Sequence, residues 1–464
     1  MKKGRHYSKD EIAIISQSAI GKSFKEIKDK ELMSFGEDKI QKGSLGCIIE
    51  ECLFGIESNN ESEPDFIDAG IELKVTPYKR NKNNSLSAKE RLVLNMIDFN
   101  TEYKNTFLTS HFWFKNNKIQ LLWYLYEENK KNLDFKITHE KLLNLSLSED
   151  LKQIEEDWNH IINKIRNGKA HEISEADTMY LGACPKGANS NDIRTQPFSD
   201  IKAMRRAFCF KQSYMTQLVR KYIGDYNEVE KVLKGKEKTI EEFVNSVITK
   251  YIGKTQTELK QLFSLESNAK NINGLLINKM FDVKGNLSET EEFLKANIIP
   301  RTIRVEQNGK IKESFPFPAF EYTKLVEEEW ETSEFRNLLE TTKYMFFIFE
   351  NNGKDYIFKG IKLWNMPELD IETNVKTMWL ETKKVVLSGN IVNSIDKKGF
   401  RITNFPGIAS NPVCHVRPHA RDATDTYPLP LPDTVTGLKD YTKHCFWLNN
   451  KYIEEIVKKV NIEK

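Results

Sequence analysis

Parts of this sequence occur twice, and that limits the fold more than any other feature. "GKSFKEI" (21–27) pairs with "GKTQTEL" (253–259), and "KGSLGCIIEECL" (42–53) with "KNINGLLINKMF" (270–281). "RAFCFKQSYMTQLVRKY" (206–222) pairs with "KHCFWLNNKYIEEIVKKV" (443–460), so that Phe208 meets Phe446 and Tyr214 meets Tyr452. Each match is weak, yet all keep one order at offsets of 228 to 238 residues. A chain of 464 residues is also too long for one ordinary core. The reading is a tandem duplicate. A first domain covers 1–224, a charged connector "DYNEVEKVLKGKEKTIEE" covers 225–242, and a second domain covers 243–464.

With 39% hydrophobic and 30% charged residues, the composition is that of a water-soluble globular protein. No run approaches eighteen apolar residues, which argues against a membrane span. The start, "MKKGRHYSKDEIAII", has basic residues with no long apolar stretch behind them, so a cleaved secretion signal is not expected. Six cysteines without a CxxC pair read as reduced thiols of a cytoplasmic protein. A net charge of only +3 means that any phosphate-binding surface is a local patch. "PYKRNKNNSLSAKER" (77–91) and "DIKAMRRAFCFK" (200–211) are candidates, and a plain solvated face is the rival reading of both.

The chemistry is concentrated in "PDFIDAGIELKVTP" (64–77). A strand alternates its side chains between two faces. Ile71, Leu73 and Val75 would share a buried face, leaving Glu72, Lys74 and Thr76 on the other. Gly70 marks a turn before this strand, Pro77 closes it, and a turn after Pro64 would return Asp65 beside Glu72. Two hard oxygen ligands of this kind hold Mg²⁺ while leaving room for water and a substrate phosphate. A neighbouring ammonium can position the attacking water and stabilise growing charge. Upstream, Ile48, Ile49, Cys52 and Leu53 recur at helical spacing, with Glu50 between them. Taken alone, acid-x-lysine on an amphipathic strand is more often a solvent face, and Glu50 an exposed helical acid.

The pattern resembles the active-site signature of the PD-(D/E)xK nucleases. "KGSLGCIIE…PDFIDAGIELKVTP" is similar to the corresponding stretch of MutH, the mismatch-repair endonuclease that nicks at GATC. It resembles still more closely the type II restriction endonucleases that cut GATC and carry two MutH-like domains, the Sau-three-AI kind. The resemblance continues through "KERLVLNMI" (89–97), "DWNHIINKIRNGKAHEIS" (157–174), "YLGACPKGAN" (180–189) and "QPFSDIKAMRRAFCFKQSYMT" (196–216) into "KGIKLWNMPE" (359–368) and "CHVRPH" (414–419). It implies an α/β fold: two tandem restriction-endonuclease-like domains, each a mixed sheet flanked by helices. "GIELKVTP" and "KIQLLWYLY" (118–126) are expected as strands.

By the same resemblance Asp65 and Glu72 are metal ligands, Lys74 is the catalytic lysine and Glu50 a further acid. Lys115, Lys186 and Asn189 are expected to face DNA, and Arg205, Arg206 and Lys211 to contact its phosphates. Where MutH has an arginine before "PK" and a tyrosine before the following "LK", this chain has Cys184 and Cys209, which leaves the base-reading residues open. The implied activity is Mg²⁺-dependent hydrolysis of double-stranded DNA at GATC, before the G, leaving a 5′-phosphate. A cognate methyltransferase would be its functional companion, and a DNA-induced dimer would let it cut both strands. A GATC nickase of DNA repair and a non-catalytic DNA-binding regulator of the same fold are the alternatives.

The second copy lacks the carboxylates. Glu50 aligns with Asn278, and "IPRTIRV" (299–305) sets Thr302 and Arg304 where Glu72 and Lys74 stand. An arginine adds positive charge where a cation should bind. The expectation is a domain that binds DNA, a second GATC copy acting as effector, without cutting it. A purely structural or dimerising part is the alternative. Among the other features, "SLSEDLKQIEEDWNHIINKIRNG" (146–168) reads as an amphipathic helix with Leu151, Ile154, Trp158, Ile161 and Ile165 as its stripe. Ser148 is its expected cap and Gly168 its stop. His415 and His419 flank Pro418, which argues against a helical metal pair. They read as satisfied or phosphate-contacting histidines.

Overall fold

A computed structural model describes residues 4–29, 44–57, 62–186, 192–224, 229–235, 237–267, 269 and 271–458. They form two compact units, Met1–Val244 with Gly285–Ile298, and Asn245–Lys284 with Ile299–Lys464. Of the expected connector, 225–228 and 236 lie outside the described residues. Val232 is buried, and the N–H groups of Val232 and Leu233 donate to Glu292 at 3.0 Å. The short helix Glu291–Ala296, late in sequence, is therefore part of the first unit.

The first unit is built on a four-stranded mixed sheet. Its strands are β1 (Glu72–Arg80), β2 (Leu86–Ala88), β4 (Lys118–Leu125) and β5 (Ile137–Asn144), in the order β2-β1-β4-β5. β1 runs parallel to β4, with Glu72 opposite Ile119 and Lys74 opposite Leu121. β4 is antiparallel to β5. Ile119 to Tyr124 are buried throughout, as a central strand covered on both faces requires. Helices α1 (Lys9–Ala19) and α2 (Phe24–Asp29) join α3 (Ser44–Cys47), which continues as a π-helical turn over Ile48–Phe54. Ile12, Phe24, Ile49, Phe54 and Phe66 of this layer pack on Leu73 and Leu122. Next come α4 (His111–Asn116) and α5 (Leu151–Arg166), which buries Ile154, Trp158, Ile161 and Ile165. A second sheet, β3-β9-β6, contains β3 (Leu92–Met96), β6 (Leu181–Pro185) and β9 (Arg206–Phe210). The hairpin β7 (Ile193–Gln196) and β8 (Ser199–Met204) precedes β9, and α6 (Gln212–Tyr222) follows it.

Two local expectations are corrected. Pro77 does not close β1, which runs three residues further to Arg80. Its carbonyl accepts from Lys89 on the β2 side at 3.1 Å, so the missing N–H also faces that side and costs the β4 ladder nothing. Ser148 does not cap α5. Its hydroxyl accepts from Asp150 N at 3.1 Å, and Asp150 is the residue that precedes the helix. Gly168 does stop α5, in the left-handed region at φ 67°.

The second unit repeats this order. Helices α7 (Ile240–Ile248, within which the two units divide), α8 (Gln256–Leu262) and α9 (Ile272–Met280) lead into the sheet β10-β12-β13. Its strands are β10 (Ile298–Val305), β12 (Lys343–Asn351) and β13 (Tyr356–Trp364). The second sheet, β11-β19-β16, joins β11 (Phe315–Ala319), β16 (Cys414–Pro418) and β19 (His444–Leu448). Small hairpins are β14 (Val392–Ile395) with β15 (Arg401–Thr403) and β17 (Thr426–Pro428) with β18 (Asp440–Thr442). Helix α10 (Lys376–Leu387) precedes this region, and α11 (Asn450–Lys458) ends the described chain.

The duplicated segments make the same bonds. Gly21 N donates to Ile137 O at 2.7 Å and Gly253 N to Phe358 O at 2.8 Å. Ser23 bridges Lys136, and Thr255 bridges Ile357. The β4–β5 ladder has an irregularity between Trp123 and Tyr124, and the β12–β13 ladder has one between Ile348 and Phe349. That bulge makes Tyr344 the equivalent of Ile119, the partner of Glu72. It also corrects the alignment of β10. Ile303 packs with Tyr344 and Phe346, whereas exposed Thr302 and Arg304 point to the opposite face and so cannot stand where Glu72 and Lys74 do. An odd shift of register exchanges the faces of a strand. The residues sharing the Ile303 face are Ile299, Arg301 and Val305, none of them a carboxylate.

Candidate active site

The site forms where the chain doubles back before β1. Phe66 and Ile71 pair as an antiparallel bridge, and Gly70 takes φ 60° to close the turn between them. This brings Asp65 beside the start of the strand. Asp65 Oδ2 accepts from Leu73 N at 2.8 Å, and Asp65 N donates to Glu72 Oε2 at 3.3 Å. Arg5 and His111 hold the loop from behind. Arg5 Nη2 donates to Pro64 O at 2.9 Å and Nε to Asp65 O at 3.3 Å, while His111 Nε2 lies 2.8 Å from Ser62 O. Nothing in the sequence pattern pointed to these two residues, because both reach the loop across long stretches of chain.

Glu72 is 2% exposed and bonded on both oxygens. Lys74 Nζ donates to its Oε1 at 2.6 Å, and Lys115 Nζ, on α4, lies 3.7 Å from the same atom. Burial raises the Glu72 carboxyl above its ordinary range and adjacent Asp65 adds to this, while Lys74 and Lys115 oppose the rise. Burial alone would lower the Lys74 ammonium. Glu72 outweighs it, with help from Asp65 and Glu50, so Lys74 is raised and stays protonated at neutral pH. Glu50, expected on a helix near the strand, lies on the π-helical turn within electrostatic reach of Lys74.

Lys115 therefore belongs with the acid cluster and not only with a DNA-facing surface. It gets there because β4 is parallel to β1, which sets the helix before β4 at the same end as Glu72. Among the described residues no group of three or more His, Cys, Asp and Glu is arranged to hold a metal. Asp65 and Glu72 are a pair. Mg²⁺ is commonly held by one or two carboxylates with water and phosphate completing its shell, so this donor set fits that ion.

The expected DNA-facing residues divide. Lys186 is exposed, and its N–H donates to Arg205 O at 3.0 Å. Arg205 remains at the surface beside Asp192, at 3.8 Å. Asn189 lies outside the described residues. Arg206 and Lys211 are corrections, for both are inside the protein. Arg206 is buried with Nη1 on Ala183 O at 2.8 Å. Lys211 is buried with its ammonium on Thr178 O, and burial pulls its pKa down. Neither side chain is placed to touch a phosphate, and both instead satisfy backbone carbonyls.

His415, in the second unit, is buried with Nδ1 2.6 Å from Asn449 Oδ1, the satisfied histidine expected, whereas His419 is exposed. No helix among the described residues is long and apolar enough to cross a membrane.

Residues 54–157 match the family described as DNA mismatch repair enzyme MutH. The whole chain is 36% identical to the type II restriction enzyme Sau3AI of Staphylococcus aureus, over 95% of this chain and 96% of that protein. It is 27% identical to the DNA mismatch repair protein MutH of Vibrio campbellii, over 48% of this chain and 97% of that one. With the MutH of Actinobacillus pleuropneumoniae it shares 22% identity over 39% of this chain and 79% of that protein. The MutH proteins thus match less than half of the chain, and the restriction enzyme matches nearly all of it. On that match the chain belongs to the family of the type II restriction enzyme Sau3AI, with a MutH-like domain in its first half.

Proposed function

We propose that this protein is a cytoplasmic type II restriction endonuclease that hydrolyses double-stranded DNA at GATC with Mg²⁺, before the G, leaving a 5′-phosphate. The observation that carries the reading is the meeting of Asp65, Glu72, Lys74 and Lys115 at the head of β1. Asp65 and Glu72 would hold Mg²⁺, which when bound polarises a phosphoryl oxygen and lowers the pKa of a water. The remaining roles belong to the chain. The protonated Lys74 ammonium offers donors to the attacking water and to the charge that grows on the phosphoryl group. Lys115 adds a second cation on the same side, and Glu72, with help from Asp65 and Glu50, keeps Lys74 charged. Arg5 and His111 fix the Asp65 loop so that its carboxylate does not have to be ordered at each turnover. Lys186 and Arg205 would meet DNA phosphates at the rim.

The division of labour proposed for the chain is a catalytic first unit and a second unit that binds another GATC copy as effector. A single catalytic set per chain cannot cut two strands together, so two chains meet on DNA. A methyltransferase protecting GATC would be the functional companion. A repair nickase is the weaker reading, because the MutH proteins match less than half of the chain. A non-catalytic regulator is disfavoured by the complete acid and lysine set. Glu72→Ala and Asp65→Ala should each lower plasmid cleavage by about a hundred- to a thousand-fold, the scale on which a principal electrostatic group is lost, while gel-shift binding of a GATC duplex survives. Undiminished linearisation by either variant would overturn the assignment, and nicked circles as the sole wild-type product would move it to the nickase.

A further inference from the structure

In the first unit the chain around β6 and β9 is fixed by three bonds: Lys186 N to Arg205 O at 3.0 Å, Arg205 N to Asp192 O at 3.0 Å and Lys211 N to Tyr180 O at 3.1 Å. The second unit repeats all three, with His419 N to Lys443 O at 3.0 Å, Lys443 N to Asp425 O at 3.0 Å and Asn449 N to Val413 O at 2.8 Å. The ladders agree as well. Cys184 opposite Ala207 corresponds to Arg417 opposite Cys445, and Gly182 opposite Cys209 corresponds to His415 opposite Trp447. Arg417 thus stands at the place of Cys184, and Trp447 at the place of Cys209.

Burial separates the two pairs. Cys184 and Cys209 are 1% and 0% exposed, packed with Ala207 and sealed by Val93 and Met96. Arg417 is exposed and Trp447 half-buried on the face of β16 and β19 that points away from Cys414, Val416, Phe446 and Leu448, which fill the core. The Arg417 guanidinium lies 4.7 Å from the centre of the indole ring. The indole itself is held, its Nε1 donating to Arg417 O at 3.3 Å, with His419 edge-on to it at 5.3 Å. No carboxylate among the described residues pairs with Arg417. A cation stacked on an aromatic face has already lost much of its rotamer freedom and keeps a fork of parallel N–H donors for an outside acceptor.

We propose that Arg417, supported on Trp447, reads a guanine edge of duplex DNA in the second unit, and so makes this unit a sequence-selective DNA site in its own right. The assignment rests on the effector reading above and deepens it. The fork of an arginine matches O6 and N7 of guanine, and GATC offers one guanine on each strand. His419, the equivalent of Lys186, and Lys443, the equivalent of Arg205, stand beside it at the same end of the ladder.

The test uses the full chain carrying Glu72→Ala, titrated with a short fluorescent GATC duplex to give the number of duplexes bound per chain and each affinity. The expected result is two duplexes for the Glu72→Ala chain, with the second event weakened about tenfold or more by Arg417→Ala. Replacing the GATC guanine by 7-deazaguanine, which lacks N7, should weaken that event in the Glu72→Ala chain. Arg417→Lys, which keeps the charge and loses the fork, should bind the second duplex without preferring GATC over a scrambled sequence. Two duplexes at unchanged affinity after Arg417→Ala, or full preference restored by lysine, would overturn this assignment and leave the catalytic reading standing. One duplex per Glu72→Ala chain would remove the effector reading and this site with it.

Discussion

Arg205 and Arg206 are neighbours in sequence with opposite fates, and the contrast is a direct test of what each does. Arg206→Ala removes a buried donor and leaves Ala183 O unsatisfied, a loss of about 1–3 kcal/mol in stability, read from denaturant unfolding. Arg205→Ala should leave stability within about 0.5 kcal/mol and weaken DNA binding, lowering the slope of log affinity against log salt by about one. His444 supplies a pH test. Burial against Tyr322, Phe405 and Tyr441 pushes its imidazole down to about 4. The unfolded chain takes up a proton near 6.5 that the folded chain refuses until about 4. Stability therefore falls as pH drops through that window, by up to about 3 kcal/mol, and stops falling below it. Thermal unfolding followed against pH should show this slope, and His444→Gln should flatten it. At this scale the sequence was legible where geometry is local. Asp65, Glu72 and Lys74 are set by a two-residue period and one turn. Lys115, Arg5 and His111 depend on a parallel crossover and long-range contacts. Arg206 and Lys211 read as surface cations because their carbonyl partners, on Ala183 and Thr178, lie far back in the chain.

Gly168 shows how an element end can be fixed twice. Its φ of 67° suits glycine, and a Cβ there would lie 2.5 Å from Phe198 O in the β7–β8 turn. Gly168→Ala should cost more than about 1 kcal/mol, seen as a lower denaturation midpoint with unchanged slope. The stop of α5 was readable from that glycine, whereas its start was not. Ser148 has the right chemistry for a cap, but the single turn over Leu145–Leu147 shifts the helix start beyond its reach. Strand β1 was readable from its alternation, yet its length was not, because a proline's missing N–H is harmless on the side away from β4, where β2 already ends at Ala88. β10 was misaligned because Thr302 and Arg304 resemble a worn copy of Glu72 and Lys74 by residue spacing alone. Only the bulge shared by the β4–β5 and β12–β13 ladders sets the faces.

For the whole molecule the repeat was the most legible feature, since matched segments in one order can hardly arise without a common fold. One catalytic set in two similar units leads to a kinetic expectation. At equal site concentration, a plasmid with two GATC sites should be linearised several-fold faster than one with a single site. Equal rates would remove the effector role while leaving the chemistry of the first unit intact. The winding of one helix carries a further consequence. Ile56 N reaches Glu50 O across six residues, whereas its counterpart Val283 N reaches Asn278 O across five. The first unit has one residue more of chain there, taken up as a π turn, and each residue rotates a helix face by roughly 100°. The two copies have therefore drifted apart in thread length as well as in side-chain type. Exchanging Asn278 alone for an acid would therefore leave the second unit one amino acid short of the winding on which Glu50 sits.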